Sequence, residues 1–169
     1  MKRSRMLIAL AFGPALFAQS YTFTSLEVPG ATQTDATGIN NRGTIVGFYF
    51  NSPLLHGFAL QKGTYTTVDA PGSSLETRLS GINVHGDIVG RYTVTAGPNS
   101  HGFILQGSVF TTIDFPGAQQ TFASGINSRV EIVGFYLDNN SVDGFLREET
   151  SSSRLMSPFQ VPAARSHPE

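Results

Sequence analysis

The sequence predicts an all-β protein built from three tandem antiparallel meander repeats of about 43 residues, each resembling a blade of a β-propeller. Three observations support this fold class. The phrase Gly-Ile-Asn recurs at steps of 43 and 44 residues, at 38–40, 81–83 and 125–127. Ile-Val-Gly follows each phrase at the same offset, at 45–47, 88–90 and 132–134. Beyond residue 20 the apolar residues show no helical period. A fixed period of this size indicates copies of one structural unit.

The first twenty residues are typical of a cleaved signal peptide. Lys2, Arg3 and Arg5 precede an apolar run over 6–17, and Ala18-Gln19-Ser20 supplies small residues before a cut at Tyr21. The alternative is a membrane anchor, but the run is shorter than the roughly 17–25 residues that span a bilayer. We therefore expect a secreted, extracellular or periplasmic protein with no membrane span in the mature chain.

Composition limits the partners of the mature chain. It retains eight Lys and Arg against twelve Asp and Glu, a net charge of −4 without a basic cluster, which argues against nucleic acid. The chain has no cysteine, so it forms no disulfides even though export would allow them. Stability must come from burial and hydrogen bonding.

Each unit opens with a Thr-rich extended stretch that a Pro-Gly turn ends, as strand and turn preferences predict. These stretches are 23–28, 65–70 and 110–115. A second strand runs through each Ile-Val-Gly phrase, and its mid-strand glycine indicates a bulge or the close approach of another backbone. A third strand follows at 56–60, 101–105 and 143–146, with a short fourth strand expected around Gly-Ile-Asn.

The Gly-Ile-Asn phrases lead into turns. Asn40 and Asn83 have glycine three residues later, as type I turns prefer, and the Asn side chain is expected to cap its own backbone. Val130 replaces that glycine in the third copy. Because valine resists a positive φ, we expect this turn to be altered or strained.

The units divide the chain into a signal peptide (1–20), a three-repeat β domain (21–147, with units 21–63, 64–107 and 108–147) and a disordered tail (148–169). Propellers have roughly four to eight blades, so three blades form an incomplete ring or one that a second copy completes. The N-terminal strand at 21–28 is predicted to close the last sheet. A β-trefoil and an open array of sheets are the alternatives.

Candidate chemistry recurs with the repeat. His56 and His101 occupy one repeat position, and the favoured interpretation is local hydrogen bonding rather than a metal site. Glu27, Asp69 and Asp114 precede the Pro-Gly turns, where capping of the turn explains them better than catalysis. His85 lies in a turn and His167 in the tail.

Two further features have structural interpretations that we favour over functional ones. The loop 138–143 has oxygen ligands at alternate positions but lacks the glycine and glutamate of an EF-hand, so a polar hairpin is expected. The tyrosines that end each second strand could stack on a sugar, but packing between sheets is favoured. They are Tyr49, Tyr92 and Tyr136. No catalytic, metal or cofactor site is predicted, and the binding residues stay unassigned.

The internal consensus joins Phe-Thr-Thr-Ile-Asp-x-Pro-Gly-Ala, Gly-Ile-Asn, Ile-Val-Gly-x-Tyr and His-Gly-Phe-x-Leu. It resembles the bacterial extracellular repeat proteins of the HAF repeat family, with Phe58, Phe103 and Phe145 in the signature strand. The resemblance covers 21 to about 147 and implies a secreted protein with no assigned catalytic residue. Asp143 in place of His, and Val130 in place of Gly, depart from the pattern.

These features predict an exported, non-enzymatic binding or scaffold module at or outside the cell surface. Its expected partners are a carbohydrate or another protein, and a homodimer is consistent with the incomplete ring. The alternative function is a secreted, propeller-like hydrolase or lyase that uses carboxylates from several repeats. Convergence of Glu27, Asp69 and Asp114 on one pocket would favour the enzyme.

Overall fold

The computed structural model describes residues 20–94, 99–139 and 141–149 of the 169. Within them the protein is all-β, as predicted, with eleven strands and no helix, so no helix there is long and apolar enough to span a membrane. The strands are β1 (Gln33–Ile39), β2 (Ile45–Asn51), β3 (Leu54–Gln61), β4 (Thr64–Val68), β5 (Glu76–Ile82), β6 (Ile88–Thr93), β7 (Ser100–Gln106), β8 (Val109–Ile113), β9 (Gln120–Ile126), β10 (Ile132–Leu137) and β11 (Val142–Arg147).

The described strands form two open sheets, β1–β8 and β9–β11, and neither closes into the barrel that the β-trefoil alternative requires. The larger sheet consists of two antiparallel meanders, β1–β4 and β5–β8, joined by a single parallel pairing of Leu55 with Glu76. We call β1–β4 meander 1, β5–β8 meander 2 and β9–β11 meander 3. The signal peptide lies outside the described residues apart from Ser20, and the predicted tail apart from 148 and 149.

The Gly-Ile-Asn phrase carries more structure than a short fourth strand. It ends the seven-residue strands β1, β5 and β9, which pair with β2, β6 and β10. The Thr-rich stretches form β4 and β8, and each pairs with the strand before it in sequence. They therefore close the meander that precedes the Pro-Gly turn.

The N-terminal Thr-rich stretch differs from its two counterparts. Residues 20–28 are in no strand, and Phe23 is 97 % exposed. The expectation that this segment closes the last sheet is therefore wrong for the single chain. Its sequence favours a strand, but a strand needs a partner, and the fourth-strand position of meander 1 is already occupied by β4.

Two apolar layers hold the meanders together. Val46 of meander 1 packs with Leu79, Ile88 and Phe103 of meander 2. On the other side of meander 2, Val89 and Ile104 pack with Ala123 and Ile132 of meander 3. Meander 2 is thus buried on both faces, with Ile88 of β6 in one apolar layer and Val89 in the other.

The mid-strand glycines allow a close approach of backbone, as the sequence predicts. The neighbouring strand has a register shift at the same place in each meander, and a methyl group on Gly90 would lie 2.1 Å from the carbonyl oxygen of Arg78. The corresponding distances are 1.9 Å at Gly47 and 2.0 Å at Gly134, again to a carbonyl oxygen of the facing strand. Only glycine fits at these positions.

The turns after Gly-Ile-Asn are capped as predicted. The side-chain oxygen of Asn83 accepts hydrogen bonds from the backbone N–H groups of His85, Gly86 and Asp87 at 2.9–3.1 Å. Its amide nitrogen donates to the carbonyl of Asn127 in the next meander, 3.1 Å away. Val130 adopts a φ of 63°, so the third turn keeps its shape with a strained backbone.

Candidate functional site

A cluster of tyrosine, histidine, aspartate and threonine lies at one end of meander 1. His56 begins the central part of β3, and Asp69 follows β4, so antiparallel pairing brings them together: Nδ1 of His56 is 2.8 Å from the carboxylate. The ring of Tyr49 stacks on His56 at 5.3 Å, and its hydroxyl is 2.9 Å from that of Thr67. All four groups are within hydrogen-bond or stacking contact.

Meander 2 repeats this cluster with the same geometry. Nδ1 of His101 lies 3.0 and 3.1 Å from the two carboxylate oxygens of Asp114. Tyr92 lies against His101 at 5.4 Å between ring centroids, and its hydroxyl is 2.9 Å from that of Thr112. Each histidine therefore pairs with an aspartate of its own meander, which confirms the local hydrogen bonding expected of both.

Meander 3 lacks the cluster. Asp143 replaces the histidine, and among the described residues no fourth strand pairs with β11 to supply the aspartate and threonine. Tyr136 instead stacks on Phe115, with ring centroids 3.7 Å apart and planes 3° apart. The predicted inter-meander packing of this tyrosine is confirmed, because Phe115 follows the last strand of meander 2.

These clusters have limited chemical capacity. A carboxylate at Nδ1 orients an imidazole, as in hydrolytic triads, but such a triad also needs a nucleophile at the other ring nitrogen. The partners recorded around His56 and His101 are a carboxylate and a tyrosine ring. In the described part of the chain no three His, Cys, Asp or Glu side chains are grouped to hold a metal ion.

The loop 138–143 is a hydrogen-bonded hairpin in its described residues. Ser141 donates its backbone N–H to the carboxylate of Asp138 at 3.0 Å, and its hydroxyl donates to Asp143. The polar hairpin that the sequence favours accounts for these contacts.

A groove of about 210 Å³ crosses all three meanders and joins two arginines to three phenylalanines. The guanidinium of Arg78 lies 4.6 Å from the ring centroid of Phe48 in meander 1. That of Arg91 lies 4.8 Å from the ring centroid of Phe122 in meander 3, and Phe122 stacks on Phe135 at 4.6 Å. We call these five residues the arginine–phenylalanine groove.

One acid sits between the two arginines. A carboxylate oxygen of Glu76 is 2.9 Å from Nε of Arg78, and the other is 3.3 Å from Nε of Arg91. Burial lowers the pKa of Arg91, opposed by the charge of Glu76. The buried Nε atom of Arg91 makes no hydrogen bond of good geometry. Two guanidinium groups and the carboxylate of Glu76 therefore lie beside aromatic faces.

Sequence reasoning missed this groove. Arg91 replaces the phenylalanine that the other two second strands have at this position, Phe48 and Phe135, and neither Arg91 nor Arg78 was predicted to have a role. The repeat register contained the signal: Arg78 faces Arg91 across β5 and β6, just as Phe122 faces Phe135 across β9 and β10. The sequence did not reveal that neighbouring meanders would place the two pairs against each other.

Comparison with known proteins adds no relative. No protein-family model matches the chain, and no curated protein matches it.

Proposed function

We propose that the chain is an exported, non-enzymatic binding or scaffold module of the HAF repeat type, and that its meanders are propeller-like blades. The observation that carries this proposal is the distribution of the His–Asp pairs, one in meander 1 and one in meander 2, rather than their convergence on one site. His56 with Asp69, and His101 with Asp114, occupy separate meanders and bond within them. Binding modules made of repeats present equivalent groups in this manner.

The arginine–phenylalanine groove is the proposed binding site, and its ligand class is a carboxylate-bearing chain. The side chains of Arg78 and Arg91 are 30 % and 26 % exposed, so part of each is open to a ligand. Guanidinium forms strong, charge-assisted hydrogen bonds with carboxylates. Phe135, 37 % exposed at one side of the groove, offers an apolar face to the rest of the ligand.

A hydrolase or lyase is the less well supported alternative. Such an enzyme needs two carboxylates held about 5–10 Å apart around one substrate. Asp69 instead accepts hydrogen bonds from His56 and from the backbone N–H of Gly57, and Asp114 accepts one from His101. Both acids are thus used within their own meanders.

The binding proposal is tested with two acidic polymers, polygalacturonate and polyglutamate, against neutral dextran. We expect binding that weakens as salt is raised, because the site is charged. Loss of one charge-assisted hydrogen bond weakens binding by about tenfold or more, so Arg91→Met should do so. Arg42→Met is the matched control, since Arg42 is exposed in a turn outside the groove and the net charge changes equally.

The two polymers separate the possible sources of the ligand. Binding of polygalacturonate alone identifies an acidic polysaccharide, and binding of polyglutamate alone identifies an acidic protein segment. If dextran bound as tightly as the acidic polymers, or if Arg91→Met and Arg42→Met lost the same amount of affinity, the groove would be refuted as the site. Amino-terminal sequencing of the exported product tests the localisation, with Tyr21 as the expected first residue.

A further inference from the structure

Meander 3 lacks the fourth strand that the other two meanders have. β3 pairs with β4 and β7 pairs with β8, whereas β11 pairs only with β10 among the described strands. Within the described part of the chain, one edge of β11 therefore presents unpaired backbone donors and acceptors. An exposed edge of this kind is a template for a strand from another chain.

A matching strand sequence exists in the same chain without a partner. Residues 22–26 read Thr-Phe-Thr-Ser-Leu, and β4 and β8 read Thr-Tyr-Thr-Thr-Val and Val-Phe-Thr-Thr-Ile. Each is followed by an acid, one further residue and Pro-Gly. We call residues 22–26 the arm. It has the sequence of a closing strand, yet it lies in no strand.

The open edge of β11 has a space of the right kind for the arm. In the complete meanders an aromatic residue of the fourth strand lies against one of the third, Tyr65 on Phe58 at 5.5 Å and Phe110 on Phe103 at 5.2 Å. In meander 3 the aligned residues are Phe145 in the third strand and Phe23 in the arm. Phe23 is 97 % exposed in the single chain.

The clefts beside these aromatic residues differ in volume between meander 2 and meander 3. The cleft that Phe103 lines together with Phe110 has a volume of 120 Å³. The cleft that Phe145 lines together with Phe115 and Pro116 has a volume of 360 Å³. The larger cleft is where the aromatic ring of a fourth strand would lie.

A glycine supports the same placement. A methyl group on Gly57 would lie 2.4 Å from the carbonyl oxygen of Val68, and one on Gly102 would lie 2.7 Å from that of Ile113. Both glycines thus make room for the fourth strand. Gly144 holds the equivalent position in β11, where the nearest atom would be 3.7 Å away. It fits a fourth strand that no described segment of the single chain provides.

Chain connection identifies the source of that strand. β4 completes meander 1 and passes through Pro71-Gly72 into meander 2, and β8 completes meander 2 and passes through Pro116-Gly117 into meander 3. By the same rule the arm, which leads into meander 1, is the closing strand of a meander that precedes meander 1 in the stack. Meander 3 of the same chain lies on the far side of meander 2.

The outer faces of the stack are consistent with this order. Val46 and Val89 are fully buried against the following meander, whereas Val133, their equivalent in meander 3, is 50 % exposed. At the other end of the stack Ile39 is 66 % exposed. The exposed face of meander 3 in one copy could therefore pack against the exposed face of meander 1 in the next copy.

We propose that the arm of one copy adds to β11 of a second copy, with Thr24 opposite Leu146 and Leu26 opposite Gly144, and that two copies exchange arms in a closed ring of six meanders. Six falls within the roughly four to eight units from which such rings are built. The exchange does not depend on the ligand proposed for the groove.

The exchange makes one unfavourable contact that can be tested. Glu27 is aligned with Asp69 and Asp114, and Asp143 with their histidine partners. Docking of the arm therefore brings two carboxylates together. Asp143→His would restore the pair found in the other meanders, and we expect it to lower the dissociation constant several-fold, as exposed pairs do.

The first experiment measures mass by sedimentation equilibrium on the exported chain. We expect two copies for the wild type. Phe23→Ala should raise the dissociation constant at least about tenfold, because it removes a central aromatic anchor. Gly144→Val should give a monomer that keeps its β circular dichroism and cooperative unfolding, since in a single chain the added Cβ atom would meet no atom closer than 3.7 Å.

The second experiment uses the absence of cysteine from the chain. The double variant Thr24→Cys with Leu146→Cys should form a disulfide between copies, seen as a dimer on non-reducing gels. Ser25→Cys with Leu146→Cys is the control, because a shift of one residue turns the first side chain to the opposite face. A crosslink within one chain, or equal crosslinking of both variants, would overturn the exchange.

Other outcomes are also decisive. A wild type that is still monomeric at about 100 μM, a concentration at which even a complex with a micromolar dissociation constant would form, refutes the proposal. A dimer that survives both Gly144→Val and deletion of residues 20–26 refutes the arm as its cause. Open filaments refute ring closure. Dissociation on removal of 150–169, with the arm intact, assigns the edge of β11 to the chain's own tail and refutes the arm.

Discussion

Replacement of Gly90 by alanine tests the reason for the glycine in the second strand of each meander. The added methyl group would lie 2.1 Å from the carbonyl oxygen of Arg78, about 1 Å inside van der Waals contact. Relief requires β5 and β6 to separate by a similar distance, which lengthens the adjacent ladder hydrogen bonds beyond their useful range.

The expected loss of unfolding free energy is about 3–5 kcal/mol. Roughly two backbone hydrogen bonds contribute about 1 kcal/mol each, and overpacking adds about 1–3 kcal/mol. This loss is a large part of the roughly 5–15 kcal/mol that stabilises a typical domain. Urea denaturation followed by circular dichroism measures it.

Gly144→Ala is the matched control, measured where the chain is monomeric. The nearest atom to its added methyl group would be 3.7 Å away, so we expect a change within about 1 kcal/mol, on the stabilising side because alanine restricts the unfolded chain. If Gly90→Ala were as stable as this control, the close approach of the backbone would not be what requires glycine in β6.

Three further substitutions are expected to alter stability. Val130→Gly should raise the unfolding free energy by up to about 1 kcal/mol in urea denaturation, because relief of the strained φ exceeds the added chain entropy. Asn83→Ala should lower it by about 2–4 kcal/mol in the same assay, because three backbone donors lose their acceptor. Glu131→Gln should lower the thermal midpoint at neutral pH, because Arg129 and Asn127 hold the pKa of this carboxyl below its usual range.

Each substitution has its own contrary result. Loss of more than about 1 kcal/mol in Val130→Gly would mean that its half-buried side chain outweighs the strain. Asn127→Ala is the control for Asn83, since Asn127 is exposed and should cost less. The stabilisation by Glu131 exists above the unfolded pKa and disappears as pH falls through the folded pKa, so a difference between wild type and Glu131→Gln that persists in acid contradicts it.

The sequence predicted the elements of the fold more accurately than their membership of sheets. The Ile-Val-Gly phrases form β2, β6 and β10, and the Asn caps are where the turn preferences placed them. The Thr-rich stretches at 65–70 and 110–115 were correctly predicted as extended. Pairing placed each in the preceding meander, because a two-residue turn joins it to the strand before it, so that Gln61 pairs with Thr64 and Gln106 with Val109.

The candidate site divides in the same way. His56 and His101 were identified because they repeat, and their local partners followed from hairpin pairing with β4 and β8. The arginine–phenylalanine groove was missed, because Arg78 and Phe48 are 30 positions apart and meet only when meanders 1 and 2 pack. Their contact depends on packing between meanders, which leaves no periodic signal.

The amino-acid order alone therefore determined the strands, the turns and the positions where only glycine fits. Those features depend on backbone preferences over a few neighbouring residues, and a threefold repeat states them three times. The tertiary structure decided which strands share a meander, which side chains line the groove, and that β11 keeps an open edge while Phe23 lies exposed. The groove arises from contacts between segments that are distant in sequence, such as Phe48 and Arg78, 30 positions apart, where burial outweighs local preference.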